Sequence, residues 1–332
     1  MRLSGQLGVL PNCPVLTGDD IRAIALPLLT DTQRETFTKY LDVDFSFTWR
    51  DRARVRGSLF TQRGEAALAL RMIPAEIPSM EQLKLPAAAN MVVKQPRGFV
   101  LVTGPTGSGK STTLAAIINR INETRPAHIL TIEDPIEYVH HHKMSAVSQR
   151  EVGFDSPTFD RALRSALRED PDVLLVGEMR DLDSIQIALT MAETGHLVFA
   201  TLHTNDAPQA IDRIIDVFPS ERQEQVRVQI AASLNTVIAQ RLVPKIGGGM
   251  VAAFEVLVAT NPVRNLIREG RASQLPNIMF TSSKDGMQTL ETDLARLIAD
   301  GQITYEDAME VTGRPKELVR SLEQMGIKAM GS

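Results

Sequence analysis

The sequence has one cysteine, Cys13, among 332 residues. It can form neither an internal disulfide nor a cysteine-rich zinc site, which points to a reducing compartment and a fold without a metal staple. No apolar run approaches the roughly 18 residues of a membrane-spanning helix. The opening MRLSGQLGVLPN has one early Arg and no long apolar stretch, so no secretory signal is expected. There is no strong charge excess either: 36 basic against 40 acidic residues give a formal charge of -4. That argues against a whole-surface nucleic-acid binder and leaves room only for a local basic groove. Internal repeats and low-complexity tracts are absent. The composition is ordinary globular usage, 43% apolar and 23% charged, which excludes a disordered tail or a collagen-like fibre. At about 150 residues per domain the length suggests two domains, soluble and cytoplasmic.

The first 75 or so residues carry period-2 or aromatic stretches, such as VDFSFTWR (Val43 to Arg50) and RARVRGSLF (Arg52 to Phe60). These read as antiparallel strands. Asp19 to Leu41 reads as helix, with Ile21, Ile24 and Leu28 on one face, so the unit is a small α+β domain. Pro74, Pro78, Pro86 and Pro96 punctuate the next stretch and suggest a linker. From Gly98 the texture becomes α/β. The apolar runs GFVLVTG, HILTIED, DVLLVGE and HLVFATLH alternate with helical segments and suit parallel strands covered on both faces. Glu221 to Leu242 reads as one long helix, Lys245 to Gly249 as a turn, and Val251 to Val258 as a strand. After Asn261 the chain reads as helical to its end. The expected division is 1–85, a linker at 86–97, a core at 98–270 and a helical region at 271–332.

The segment Gly104, Pro105, Thr106, Gly107, Ser108, Gly109, Lys110, Ser111 fits G-x-x-x-x-G-K-[ST], followed by Thr112. An apolar strand precedes it and a helical pattern comes after. The pattern arises by chance in roughly one chain per hundred of this length. Glycines let backbone N–H groups converge on phosphate oxygens, and a helix N-terminus adds positive potential. Lys110 would reach the β- and γ-phosphates of ATP, and the Ser111 hydroxyl would ligate Mg²⁺.

Such a site needs a carboxylate near Mg²⁺ and a group to activate water. Glu133 and Glu178 each come after an apolar strand, where active-site groups of parallel sheets gather. His196 and His203 flank the fourth run. Each reads either as a hydrogen-bonded core histidine or as a reporter of the γ-phosphate. His140-His141-His142 reads as exposed loop. Arg54, Arg56 and Arg71 belong to the first unit. Alternation puts Arg54 and Arg56 on one face, either solvated or reaching phosphates or a neighbouring subunit's nucleotide.

Four segments together resemble the secretion ATPase superfamily: GPTGSGKST (Gly104 to Thr112), LTIEDPIEYVH (Leu130 to His140), LRSALREDPDVLLVGEMRD (Leu163 to Asp181) and TGHLVFATLHTNDA (Thr194 to Ala207). They are similar to its Walker A, Asp, Walker B and His boxes, and most of all to the branch that retracts type IV pili. The resemblance implies a homohexameric ring of subunits with a PAS-like N-terminal domain and a RecA-like ATPase core. It implies Glu133 as catalytic base, Glu178 as the acid acting on Mg²⁺ through water, and His203, with His196 second to it, as nucleotide sensors. Arg56 and Arg71, with Arg54 a secondary candidate, match arginines that reach the nucleotide. The implied partner is an inner-membrane platform protein at the pilus base, without membrane insertion or nucleic acid. An accessory retraction paralogue is an alternative identity and a further partner.

Pilus assembly and type II secretion motors are the next alternative, and they usually carry a four-cysteine zinc insertion that one cysteine cannot supply. Pro262 to Glu269, PVRNLIRE, matches the retraction branch's AIRNLIRE at six of eight positions. A plain amphipathic helix with Val263, Leu266 and Ile267 inward would look the same. A RecA-like ring could also translocate nucleic acid, but no DNA-binding module is recognisable. There are three departures. The family normally opens with a helix and a strand and this chain begins just after them, so either the start is truncated or the first strand is missing, which would leave an unpaired edge in the first sheet. Gly177 stands where an acid usually precedes the Walker B Glu. Pro262 replaces Ala, which a helix start tolerates.

Overall fold

The computed structural model describes residues 2–3, 6–10, 13–49, 53–73, 76–179 and 181–327. The chain separates into two units, Met1–Glu76 and Ile77–Ser332.

The first unit begins with a two-stranded ribbon, β1 (Arg2–Leu3) and β2 (Gln6–Leu7). Two helices come next, α1 (Gly18–Ala25) and α2 (Asp31–Tyr40). The single helix expected over Asp19 to Leu41 is thus two. Pro27 lies in a 3-10 turn at Leu26–Leu28, and Thr30 caps a new start by accepting from the Gln33 N–H. Ile24, expected on one face with Ile21 and Leu28, is exposed, while those two pack against the core of the sheet. A three-stranded antiparallel sheet then forms from β3 (Asp42–Trp49), β4 (Ala53–Gln62) and β5 (Glu65–Ile73), with β3 and β5 at its edges. Arg50 and Arg52, at the ends of the two expected strands, and Pro74 lie outside the described residues. One face of the sheet buries Val43, Phe45, Leu59 and Ala66 with Ala25 and Leu29 of the helices. Gly57 is where the Phe45 ring rests: a Cβ there would come within 2.4 Å of it.

The second unit opens with α3 (Ala87–Val93), in the stretch expected to be a linker. Its small apolar residues Ala88, Ala89, Val92 and Val93 are buried in the same core as the helix that leaves the phosphate loop. Pro86 is its N-cap residue, so that proline marks a helix start. The elements then alternate: β6 (Gly98–Thr103), α4 (Lys110–Thr124), β7 (His128–Glu133), β8 (Ala146–Glu151), α5 (Phe159–Ala166), β9 (Val173–Val176), α6 (Leu182–Glu193), β10 (Leu197–Leu202), α7 (Ala207–Asp216), α8 (Ser220–Ser233), β11 (Leu234–Pro244) and β12 (Met250–Val258). They make a seven-stranded sheet in the order β12-β11-β6-β10-β9-β7-β8. Every pair is parallel except β11–β12. Alternate residues of one strand enter opposite cores. Phe99 and Leu101 pack with Leu163, Ile185 and Ile211 on one side, while Val100 and Val102 pack with Ile117, Ile118 and Ile121 on the other. Burial on both faces is why these strands are apolar throughout.

The long helix expected over Glu221 to Leu242 is also overturned. Helix α8 stops at Ser233, and the next residue already belongs to β11. Thr236, Val237, Ile238 and Val243 are β-branched and fit a doubly buried strand better than a helix interior. The tail is helical as expected: α9 (Asn261–Arg268), α10 (Leu275–Thr281), α11 (Leu290–Ala299), α12 (Tyr305–Val311) and α13 (Pro315–Gln324). Pro262 sits in the first turn of α9, with Val263 and Ile267 buried and Leu266 packed against the same core. Arg264 donates to the Ala231 and Ala232 carbonyls at the end of α8. This fastens the PVRNLIRE helix to the core.

Candidate active site

The carboxyl ends of β6, β10, β9 and β7 lie along one edge of the sheet. The loop from Gly104 to Gly109 joins β6 to α4 there. Gly104, Gly107 and Gly109 have φ of 144°, 79° and 88°, where a side chain would be strained. At Gly104 a Cβ would also meet the Gln240 carbonyl at 2.4 Å and the Ser108 Oγ at 2.7 Å. Gln240 of β11 holds the loop, its Nε2 donating to the Ser108 carbonyl at 2.5 Å. Lys110 is 9% exposed and donates to the carbonyls of Gly104 at 2.8 Å and Pro105 at 3.1 Å. Burial lowers its pKa, opposed by the charges of Glu178 and Glu137. The Ser108 Oγ is buried with no hydrogen-bond partner among the described residues. Thr112 shares a hydrogen bond with the Tyr138 hydroxyl at 2.9 Å. A buried cation, three glycines and the start of a 15-residue helix make a cradle suited to a polyphosphate.

Strand β10 lies between β6 and β9, so the residue after it stands between their loops. That residue is His203. Its Nδ1 lies 3.4 Å from the Thr106 Oγ1, and its Nε2 lies 3.2 Å from Glu178 Oε1. Thr201, two residues earlier, fixes the Glu178 turn. Its hydroxyl donates to the Gly177 carbonyl, and its carbonyl accepts from Met179 N–H at 3.3 Å. The Gly177 departure has a steric reason. A Cβ there would sit 3.1 Å from the Ile132 carbonyl oxygen and 3.2 Å from Glu133 Cα, closer than ordinary van der Waals contact.

Glu133 ends β7. Its Oε1 accepts from Thr131 Oγ1 at 2.7 Å and from Gln149 Nε2 at 3.2 Å. Burial raises its pKa, opposed by these two hydrogen bonds and by the Glu137 N–H. Glu133 and Ser111 line one recess with Glu137, Tyr138 and Thr201. Lys110, Ser111, Thr106, Glu133, Glu178 and His203 therefore share one strand edge.

His196 does not join them. It lies at the amino end of β10, with Nδ1 3.0 Å from the Met191 carbonyl and 3.2 Å from Thr194 Oγ1. Its carbonyl accepts from Gly98 N–H at 2.9 Å, at the start of β6. A strand of this length puts roughly 20 Å between it and the loop, and its ring is half-buried and hydrogen-bonded there. His140 departs from the exposed loop expected for it and is buried. Arg54, Arg56 and Arg71 share one face of the first unit's sheet, Arg56 directly opposite Arg71. Arg54 Nη2 donates to Ser46 Oγ at 3.0 Å. Like charges facing each other weaken a sheet, so stability does not account for that pair.

Sequence reasoning missed the support residues. Thr131 was findable, two residues before Glu133 on the same strand face. Gln149 sits on an edge strand too polar to read as one. Gln240 was hidden inside the supposed helix.

Residues 51–255 match the family model described as type II/IV secretion system protein. The type IV pilus retractation ATPase PilT of Pseudomonas aeruginosa is 50% identical over 305 residues, covering 92% of this chain and 89% of that protein. A twitching motility protein of Neisseria gonorrhoeae is 50% identical over 299 residues, covering 90% of this chain and 80% of that protein. Among solved structures, the pilus retraction motor PilT with bound ADP superimposes with a TM-score of 0.91 at 50% identity, covering 96% of this chain and 91% of that one. With its phosphate loop, paired acids and bridging histidine on one strand edge, the chain belongs to the type II/IV secretion system protein family.

Proposed function

We propose that this chain is the ATP-hydrolysing motor subunit of type IV pilus retraction. The observation that carries the reading is the link from Thr106 through His203 to Glu178, which ties the phosphate loop after β6 to the acid after β9, across the intervening β10. Lys110 leaves the Gly104 and Pro105 carbonyls for the β- and γ-phosphates when ATP binds. Glu133, recessed beside Ser111, accepts the proton of the attacking water. The water oxygen bonds to the γ-phosphorus, the bond to the bridging oxygen breaks, and ADP leaves with that electron pair. Burial that raises the Glu133 pKa makes it a stronger base once ionised.

No group of three or more His, Cys, Asp or Glu side chains among the described residues could hold a metal alone. A divalent cation fits here only with phosphate oxygens beside the Ser111 hydroxyl and Glu178. Mg²⁺ so held would neutralise charge building on the phosphates. His203 reports the state of the loop to Glu178. Arg56 and Arg71 supply guanidinium charge to the nucleotide of a neighbouring subunit in a homohexamer. The ring would turn a platform protein at the cytoplasmic face of the inner membrane. No helix among the described residues is long and apolar enough to cross a membrane.

Phosphate release by the purified chain tests the chemistry. Lys110→Ala and Glu133→Gln should each lower turnover by about two orders of magnitude, as loss of a positioned charged group does. Unchanged turnover in both would refute the site. Deletion of the gene should leave surface pili without twitching; loss of pili would instead fit an assembly motor.

A further inference from the structure

Behind Ser111 lies a cavity of ≈ 40 Å³, walled by Ser111, Glu133, Tyr138, His140, Leu175 and Thr201 among others. His140 is the unexpected member. It is 8% exposed, and its Nδ1 is buried without a hydrogen-bond partner among the described residues. Its backbone is tied to the base. The His140 N–H donates to Gln149 Oε1 at 2.7 Å, while the Gln149 amide donates to Glu133 Oε1 at 3.2 Å and to the Tyr138 carbonyl at 2.9 Å. One side chain of β8 thus fixes both His140 and Glu133 at the same wall.

Buried polar atoms nearly always find a partner, in the protein or in ordered water. A polar cavity accommodates a water once about 10–15 Å³ is open to it, and this one exceeds that. We propose that His140 is a positioning residue for hydrolysis, holding water through Nδ1 beside Glu133 and Ser111. The inference rests on the ATPase reading of the site. Burial, with the charges of Lys143 and His141, lowers the ring's pKa to about 4. The imidazole is therefore neutral near pH 7, and Nδ1 bonds water in either tautomer. A neutral ring orients water without competing with Glu133 for its proton.

The test compares His140→Phe, which fills the space without a nitrogen, with His140→Asn, which keeps a polar atom near the position of Nδ1. Phe should lower kcat about tenfold or more, with KM for ATP and affinity for ADP within about twofold, as expected for lost water positioning. Asn should recover turnover to within about threefold of the parent, again on the scale of one orienting contact. A crystal structure with ordered water should place one within hydrogen-bond distance of both Nδ1 and a Glu133 oxygen. Wild-type kcat in the Phe variant, equal impairment of both variants with lowered melting temperatures, or a dry cavity would overturn the proposal. Lys110→Ala separates the two readings. If it turns over like wild type, the ATPase assignment fails; if it is inactive while His140→Phe is normal, only the role of His140 fails.

Discussion

Replacing Glu255 by glutamine isolates one ionisation inside the second unit. Glu255 lies on β12, 4% exposed, and its Oε1 accepts from Ala207 N–H at 2.8 Å, at the first residue of α7. Burial is the main reason its pKa is pushed from 4.5 to about 7. The charges of Asp206 and Glu291 add to the rise; the Ala207 hydrogen bond and Arg314 oppose it. The folded pKa exceeds the unfolded one, so folding favours the protonated acid. Its contribution is full below pH 4.5 and is lost as pH rises through about 7. At 1.36 kcal/mol per pH unit the loss above pH 7 is about 3 kcal/mol. Glutamine keeps an acceptor for Ala207 N–H and carries no charge to bury. At pH 8 Glu255→Gln should melt well above wild type, by up to about 10 °C at the few degrees per kcal/mol usual for domains of this size. At pH 5 the two melting temperatures should nearly coincide. Circular dichroism melts at both pH values decide it. Equal differences at pH 5 and pH 8, or a wild type more stable at pH 8, would refute the argument.

Two further outcomes concern the first unit. On the role proposed for Arg56, Arg56→Ala should leave nucleotide binding nearly intact, measured by fluorescent ADP titration, and still abolish turnover, as for a group acting on charge that develops late; parallel loss of binding and rate would make it a ground-state contact. Gly57→Ala should destabilise the unit by roughly 1–3 kcal/mol, the usual cost of overpacking a core, because its Cβ would come within 2.4 Å of the Phe45 ring. A melt unchanged from wild type would show that the ring moves aside.

The phosphate loop and its two acids were legible because the chemistry restricts residue type and spacing, and because strands buried on both faces announce themselves as apolar runs. β11 was not legible for the same reason. A doubly buried strand shows no alternation, and Val226, Ile230, Leu234 and Val237 keep helical spacing straight across the junction after Ser233. The break at Pro27 could have been read from proline chemistry alone. The burial of His140 could not, since a run of three histidines reads as polar and only tertiary packing puts the first of them in a wall.

The absence of any residue between α8 and β11 has a mechanical consequence. Arg264 rivets α9 to the last carbonyls of α8, and Gln240, seven positions into the strand that begins at once, grips the phosphate loop. Along that path β11 keeps its pairing with β6 apart from one register shift between Leu234 and Thr236. A load applied at the outer helix thus has a short route to the cradle, with no connecting turn on it and that shift as its one irregular step.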